Sequence, residues 1–188
     1  MSDRPERARL FVALELPAAP REALFVWTAR VLSGRAGLRP VAADALHVTL
    51  CFLGSCALDL IAPIAGACEV VAREPVAELT VGRPLWLPPR RPGVLAVELN
   101  DLRGGVARVQ AALSDALHAG GWYQPEKRPF LAHVTVARVR RGVRVRRQEL
   151  GSPPALTLTP STVTLYRSRL GPGGARYEPL HSVELSSG

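Results

Sequence analysis

Two histidines, His47 and His133, head the same short phrase: His47-Val48-Thr49-Leu50 and His133-Val134-Thr135-Val136. The copies stand roughly half the chain apart, and each alternates a polar with an apolar residue. In a strand, side chains alternate faces, so each histidine shares a face with its threonine and the aliphatic pair turns the other way. Histidine exists in either protonation state near neutral pH. A pair can therefore divide acid–base work, one neutral imidazole taking a proton while an imidazolium gives one. Hydrolysis of a phosphodiester needs that division, with a base for the water and an acid for the departing oxygen. The threonine hydroxyls can hydrogen-bond to the non-bridging oxygens as charge builds on them.

The elements that must carry these residues follow from periodicity and punctuation. Residues 9–15 read as a strand, broken by Pro17 and Pro20 before a helix over roughly 20–33; Gly34, Gly37 and Pro40 mark a loop. The first motif strand is expected over 45–53, ended by Gly54. A helix over 57–73 follows, with Ile61, Ile64, Ala65, Cys68 and Val71 on one face. Residues 76–87 and 94–99 read as a hairpin around a proline-rich turn. A helix over about 102–118 aligns Val106, Val109, Leu113 and Leu117 and stops at Gly120-Gly121. The second motif strand is expected over 131–139, then a basic loop, a strand near 155–159 and a hairpin over 161–169 and 176–185. The alternation and the repeated motif suggest two α+β lobes related by an approximate two-fold.

At 188 residues the chain can bury a substantial core. The net charge is +8, carried by 23 arginines and the single Lys127. Arginine presents a planar fork suited to phosphate oxygens, and a positive surface favours polyanions such as RNA. Abundant alanine, glycine and proline point to a GC-rich genome, which accounts for most of the choice of arginine over lysine but little of the excess of positive charge. Cys51, Cys56 and Cys68 have no metal-site spacing and read as reduced thiols of a cytosolic protein. The first apolar run is too short and too interrupted for a signal peptide, and no apolar stretch is long enough for a membrane span, so a cytoplasmic protein is expected.

The run from Arg39 through His47-Val48-Thr49-Leu50-Cys51-Phe52-Leu53-Gly54 resembles the first motif of the 2H phosphoesterase superfamily. More narrowly it resembles the bacterial and archaeal RNA 2′,3′-cyclic phosphodiesterases, historically called 2′-5′ RNA ligases. Arg9 to Pro17 matches that family's first strand, Arg128 to Arg138 its second motif, and Leu165 to Ser168 with Arg176 to Leu180 its closing hairpin. Two departures are Ala132, where the family usually has proline, and Cys51, a site often held by arginine or another residue. The resemblance implies an α+β, bilobal fold: two pseudo-symmetric lobes, each a small antiparallel sheet flanked by helices, with the active-site cleft between them, all forming one domain over residues 1–188. It implies a hydrolase that opens 2′,3′-cyclic phosphate RNA ends to 2′-phosphomonoesters without metal or cofactor and, run backward, joins ends without ATP. His47 would be the proton donor, His133 the proton acceptor, and Thr49 and Thr135 the holders of the phosphate. The expected partners are RNA with 2′,3′-cyclic phosphate ends, tRNA halves among them, met by a monomer away from any membrane.

Other residues carry a functional and a plainer reading. Arg128 sits in a loop free to reach the cleft mouth and contact phosphate. Arg138, five residues after His133, points away from the cleft in an ideal strand, so it touches substrate only if the strand ends or bulges first. Phe11 could face the cleft and stack on a base, though an aromatic in a strand is more often core. Cys51 shares parity with His47 and Thr49, which turns it toward the cleft, while Phe52 reads as core. His118 reads as a helix-end residue and His181 as a surface one. A metal site is weakly indicated, since Asp44 falls on the face opposite His47. Lys127 to Arg147 holds eight basic residues and no acidic one. Such a run is either a solvated, mobile loop or a grip on the RNA backbone. Two rival functions stay open: a related phosphoesterase acting on small cyclic nucleotides or 2′-5′ oligonucleotides, and a non-catalytic RNA-binding protein.

Overall fold

The structure, a computed structural model, describes residues 6–171 and 174–187; Met1–Pro5, part of the N-terminal segment read above, lie outside them. Its elements run β1 (Arg7–Glu15), α1 (Ala18–Leu32), β2 (Leu38–Pro40), β3 (His47–Ala57), α2 (Ile61–Cys68), β4 (Leu79–Leu87), β5 (Val94–Asn100), α3 (Gly105–Ala119), β6 (His133–Val139), β7 (Thr157–Leu158), β8 (Thr162–Gly171) and β9 (Gly174–Glu184). The strands join into one antiparallel sheet in the order β7-β4-β5-β6-β3-β1-β8-β9, with β2 on β6.

That order is symmetric about the two motif strands. β3 is followed outward by β1, β8 and β9, and β6 by β5, β4 and β7. The two motif strands pair with each other at one position, Val48 opposite Val134, and β2 adds Leu38–Pro40 along the outer part of β6. The expected pair of lobes is thus one continuous sheet pinched at its centre. The helices cross over: α1, which follows β1, packs on β6 and β2, and α3, which follows β5, packs on β3. Each half therefore supplies the floor beneath the other half's histidine strand.

The core lies between the sheet and these helices. Val106, Val109, Leu113 and Leu117 are fully buried on α3, as their spacing predicts, and Leu24, Trp27, Thr28 and Leu32 form the buried stripe of α1. The expected helix over 57–73 is shorter. Only Ile61–Cys68 is α-helical, with 3-10 turns at Leu58–Leu60 and Glu69–Arg73. Pro63 falls in its first turn, where a missing N–H is harmless, and Pro75 stops any continuation. Two further boundaries differ. Residues 38–40, expected in a loop, form the short strand β2, and β3 runs past Gly54 to Ala57. Gly54 has a φ of 76°, left-handed backbone that lets the strand take in an extra residue and go on.

Candidate active site

Both motif strands bulge at the same place. β3 pairs Ala13 with Thr49 but Val12 with Cys51, so Leu50 is inserted. β6 pairs Ala96 with Thr135 but Leu95 with Ala137, so Val136 is inserted. An extra residue reverses the alternation beyond it. Leu50 and Cys51 consequently both face the core, at 4% and 1% exposure, and Phe52 turns out into the cleft at 45%. This corrects the expectation for both residues: Cys51 is core and Phe52 is cleft. In the second copy Val136 and Ala137 are buried and Arg138 emerges on the face of His133 and Thr135. Arg138 therefore lines the site, by the bulge its distance from His133 required.

The histidines are held alike. His47 donates Nδ1–H to the carbonyl of Ala45 at 2.8 Å, and His133 donates Nδ1–H to the carbonyl of Leu131 at 2.8 Å. A carbonyl only accepts, so each bond fixes the tautomer and leaves Nε2 for chemistry. A 3-10 turn at Ala43–Ala45 presents the first carbonyl, and the extended entry to β6 presents the second. Ala132, in place of the family's usual proline, contributes its carbonyl to Leu99 N–H at 2.9 Å, a bond proline could equally accept. His47 Nε2 also meets Thr49 Oγ1 at 3.1 Å. Continuing the register from Val48 and Val134 sets His47 opposite Thr135 and Thr49 opposite His133.

The two imidazoles have different surroundings. His47 leans on Phe11, ring centres 5.0 Å apart, and meets the edge of Tyr177 at 5.2 Å. Phe11 is stacked in turn on Tyr166 at 5.3 Å. The Tyr166 hydroxyl donates to Glu15 Oε1 at 2.9 Å, and Thr164 donates to the same oxygen at 2.5 Å. Phe11 thus faces the cleft but is only 4% exposed, so it supports the imidazole and offers a base little open surface. Burial pushes His47 down to about 4; the Ala45 carbonyl opposes this, while the Arg138 guanidinium and His133 add to it. His47 is accordingly neutral at pH 7, and its Nε2 accepts the Thr49 hydroxyl.

The cleft has two compartments that share Thr49 and Phe52. The one beside His47, about 280 Å³, is lined by Arg9, Arg39, Arg138 and Tyr177. Arg39 on β2 is the direct cross-strand partner of Arg138, and neither has a carboxylate partner among the described residues. Like charges directly opposed are unfavourable in a sheet, which makes the pair a standing site for an anion. Arg9 lies over the Phe52 ring at 4.5 Å from its centre. The compartment beside His133, about 440 Å³, is walled by Phe52, Tyr123, Phe130 and prolines, with Gln110 and Ser114 at its base and Glu126 and Arg128 at its margin. Arg128 is therefore at the mouth, on the His133 side. Cys51 lies behind this compartment against Gln110 and Tyr123, its thiol pushed up to about 12 by burial, so it is an uncharged filler.

Sequence reasoning brought together His47, Thr49, Thr135, His133, Arg138 and Arg128, and missed Arg39, Tyr177 and the exposure of Phe52. Tyr177 arrives from β9, and no local signal marked it. His118 donates Nδ1–H to the carbonyl of Tyr123 at 3.0 Å just beyond its helix, and His181 pairs with Glu69 at 2.6 Å; neither is near the motifs in the sheet. Among the described residues no group of three or more His, Cys, Asp or Glu side chains gathers to hold a metal ion, and no helix is long and apolar enough to cross a membrane.

The basic run is fastened to the protein. Trp86 Nε1 donates to the Gln148 carbonyl at 3.2 Å, Trp27 Nε1 to the Gly151 carbonyl at 3.1 Å, and Arg140 N–H to the Gly37 carbonyl at 3.0 Å. Arg147 Nε donates to the Pro89 carbonyl at 2.7 Å, so this arginine is a staple. Arg140, Arg141, Arg144 and Arg146 enter no ion pair among the described residues.

Residues 14–96 match the model of the LigT like Phosphoesterase family. The RNA 2',3'-cyclic phosphodiesterase of Escherichia coli (strain K12) is 34% identical over 201 residues, covering 96% of this chain and 98% of that protein. A crystal structure described as a phosphoesterase superposes with a TM-score of 0.83 at 30% identity, covering 96% of this chain and 99% of the other. The structure of E. coli LigT complexed with 3'-AMP does so with a TM-score of 0.78 at 30% identity and the same coverage.

Proposed function

This chain belongs to the LigT-like phosphoesterase family, and from that premise we propose that it hydrolyses 2′,3′-cyclic phosphates at RNA 3′ ends to 2′-phosphomonoesters. The observation that carries the mechanism is the matched pair of imidazoles, each with Nδ1 committed to a backbone carbonyl and Nε2 left to one cleft. Water enters on the His133 side, and His133 Nε2 takes its proton as oxygen bonds to phosphorus. His47 Nε2–H gives a proton to the ribose 3′ oxygen as that bond breaks. Which imidazole is acid and which is base follows the family resemblance.

His47 must acquire its proton with the substrate. The negative phosphate supplies a counter-charge beside the imidazole, raising His47 from about 4. Once protonated, Nε2 can no longer accept from Thr49. The hydroxyl hydrogen then turns toward a phosphate oxygen, so protonation of the acid and engagement of the phosphate occur together. Thr135, across from His47 by register, holds another oxygen. Arg138 steadies the charge that gathers on the phosphorus centre.

Both proton transfers are assigned to imidazoles, so the mechanism needs no metal. Both motifs lie in one chain, which supports a monomer and one catalytic domain built of both halves. The three cysteines are free, which supports a reducing, cytoplasmic setting. The fastened basic run supports RNA over a free cyclic nucleotide, with tRNA halves among the substrates. The test is incubation with an oligonucleotide ending in a 2′,3′-cyclic phosphate, with and without chelator, reading the terminus by phosphorus NMR. A 2′-phosphate formed at the same rate in both samples is expected; a 3′-phosphate, or loss of activity with chelator, would overturn the reading.

A further inference from the structure

A cavity of about 600 Å³, larger than either cleft compartment, lies outside the catalytic cleft and shares no lining residue with it. It opens where the segment after α1, the start of β2, the indole of Trp86 and the basic run come together. Register sets it behind the sheet. Leu38 pairs with Val139, Ala137 with Leu95 and Leu95 with Trp86, whereas Arg39 and Arg138 pair on the cleft face. Gly37 shapes the groove: a Cβ there would meet Val143 at 3.1 Å and Val145 at 3.4 Å, so glycine lets the basic run close against this segment. Beyond that valine ridge lies a second hollow of about 410 Å³, which shares Arg144 with the first and is lined by Arg90 and Arg91 of the β4–β5 turn.

The lining is cationic and unopposed. Arg35, Arg144 and Arg146 face the groove, and among the described residues no Asp or Glu lines either hollow and none of the five arginines enters an ion pair. Arg35 is braced by a bond from Nε to the Val31 carbonyl at 2.8 Å, so its guanidinium is held at the wall. Trp86 is half-buried, and its indole N–H is committed to the Gln148 carbonyl, which fixes the ring beside these charges. A positive groove with an aromatic ring in its wall is the combination that takes single-stranded nucleic acid, phosphates on the cations and a base on the ring.

We infer that this groove is a second RNA site, holding unpaired nucleotides upstream of the cyclic end, with a base on Trp86 and the flanking phosphates on Arg35, Arg144 and Arg146. The path to it is short. Arg39 lines the cleft and Gly37 lines the groove, two residues apart on one segment and so at most about 7 Å along the chain. A strand leaving the cleft beside Arg39 and Arg138 reaches the groove by passing the end of β2. Holding one strand at two points lowers KM for substrates long enough to span both and leaves the chemical step alone. The inference rests on the phosphodiesterase reading, which supplies RNA as the polyanion, and adds where the body of the strand is held.

The test titrates a labelled single-stranded oligoribonucleotide with a plain 3′-hydroxyl, read by fluorescence anisotropy, alongside turnover of a cyclic mononucleotide. Trp86→Ala should weaken the oligonucleotide about tenfold, as loss of a stacking ring does, while Trp86→Phe, which keeps a ring but not the indole donor, should retain most of the affinity. Arg35→Gln combined with Arg91→Gln should weaken binding and reduce the salt slope by about 0.7 for each phosphate released. A duplex of the same sequence should bind less tightly than the single strand. Cyclic mononucleotide turnover should be unchanged in every variant, which also shows that each is folded. Wild-type affinity in both Trp86→Ala and the double arginine variant would overturn the second site. Equal losses in Trp86→Ala and Trp86→Phe would reduce the indole to a staple for Gln148 and overturn it as well, as would a duplex bound as tightly as the single strand. All three of these results leave the phosphodiesterase reading standing. Failure of the wild-type chain to hydrolyse the cyclic mononucleotide would overturn that reading, and the choice of RNA with it.

Discussion

Phe52 and Arg138 occupy equivalent places in the two halves of the cleft. Each stands five residues after its histidine, and each is turned onto the histidine's face by one inserted residue, Leu50 or Val136. The two-fold relation thus extends past the repeated motif, but the chemistry does not: one half places an aromatic ring there, the other a guanidinium. The site is built symmetrically and furnished asymmetrically, and an asymmetric reaction needs the second.

Arg138 is expected to act on both substrate and acid. Its charge helps to hold His47 down, so Arg138→Gln should move the His47 titration upward, toward the ordinary imidazole value. Turnover of a cyclic-phosphate substrate should nevertheless fall, chiefly through a higher KM, because glutamine carries no charge to attract the anion. An NMR titration of the ring proton together with initial rates checks both. An unchanged or lowered titration would place Arg138 away from His47.

Binding of a phosphate should bring a proton with it. Between about pH 4 and 7 the free enzyme holds His47 neutral, and the proposed complex holds it charged. Calorimetry of inorganic phosphate or a 3′-nucleotide in buffers of different ionisation enthalpy should show uptake approaching one proton near pH 6, absent in His47→Asn. Equal heats in all buffers would contradict the coupling between His47 and Thr49.

The same group sets a direction for stability. Folding lowers His47 from 6.5 to about 4, so within that window the unfolded chain binds a proton that the folded chain does not. This contribution is lost as pH falls from 6.5 toward 4 and changes little above 6.5. His47→Asn should therefore show a shallower loss of melting temperature over that interval than the wild-type chain. An identical slope would mean that the imidazole is not buried as described.

Much of this site was legible in the residues. Parity placed His47 with Thr49 and His133 with Thr135, because alternation holds until a strand is interrupted. It failed at Cys51 and Phe52, since an insertion depends on how β3 registers with β1, and nothing in Leu50 itself declares it. Arg138 could be stated only conditionally for the same reason. Helix faces with clean spacing, such as Val106 to Leu117, were predictable. The three-residue strand β2, which carries Arg39, is too short for any period to show. Tyr177 reaches His47, and Tyr166 reaches the Phe11 ring behind it, from the far end of the chain through tertiary packing alone.

The basic run separates grip from fold. Replacing Arg140, Arg141, Arg144 and Arg146 with glutamine should weaken RNA binding and reduce its salt slope by about 0.7 for each phosphate no longer neutralised. Hydrolysis of a cyclic mononucleotide should change little. Arg147→Ala should instead loosen the segment, seen as faster proteolysis within it, because its partner is the Pro89 carbonyl. Equal losses on long and short substrates in the fourfold variant would make the run a support of the cleft.

The central claim, that two imidazoles share one proton-transfer cycle, is tested most directly by single-turnover rates of His47→Ala, His133→Ala and the double variant on a cyclic-phosphate substrate. Loss of a general acid or base costs about 10²–10⁴ in rate. Each single variant should lose activity in that range with its melting transition cooperative, and the double variant should be scarcely slower than the worse single, since the two groups act as a unit. Retention of most of the wild-type rate by either single variant would contradict the account.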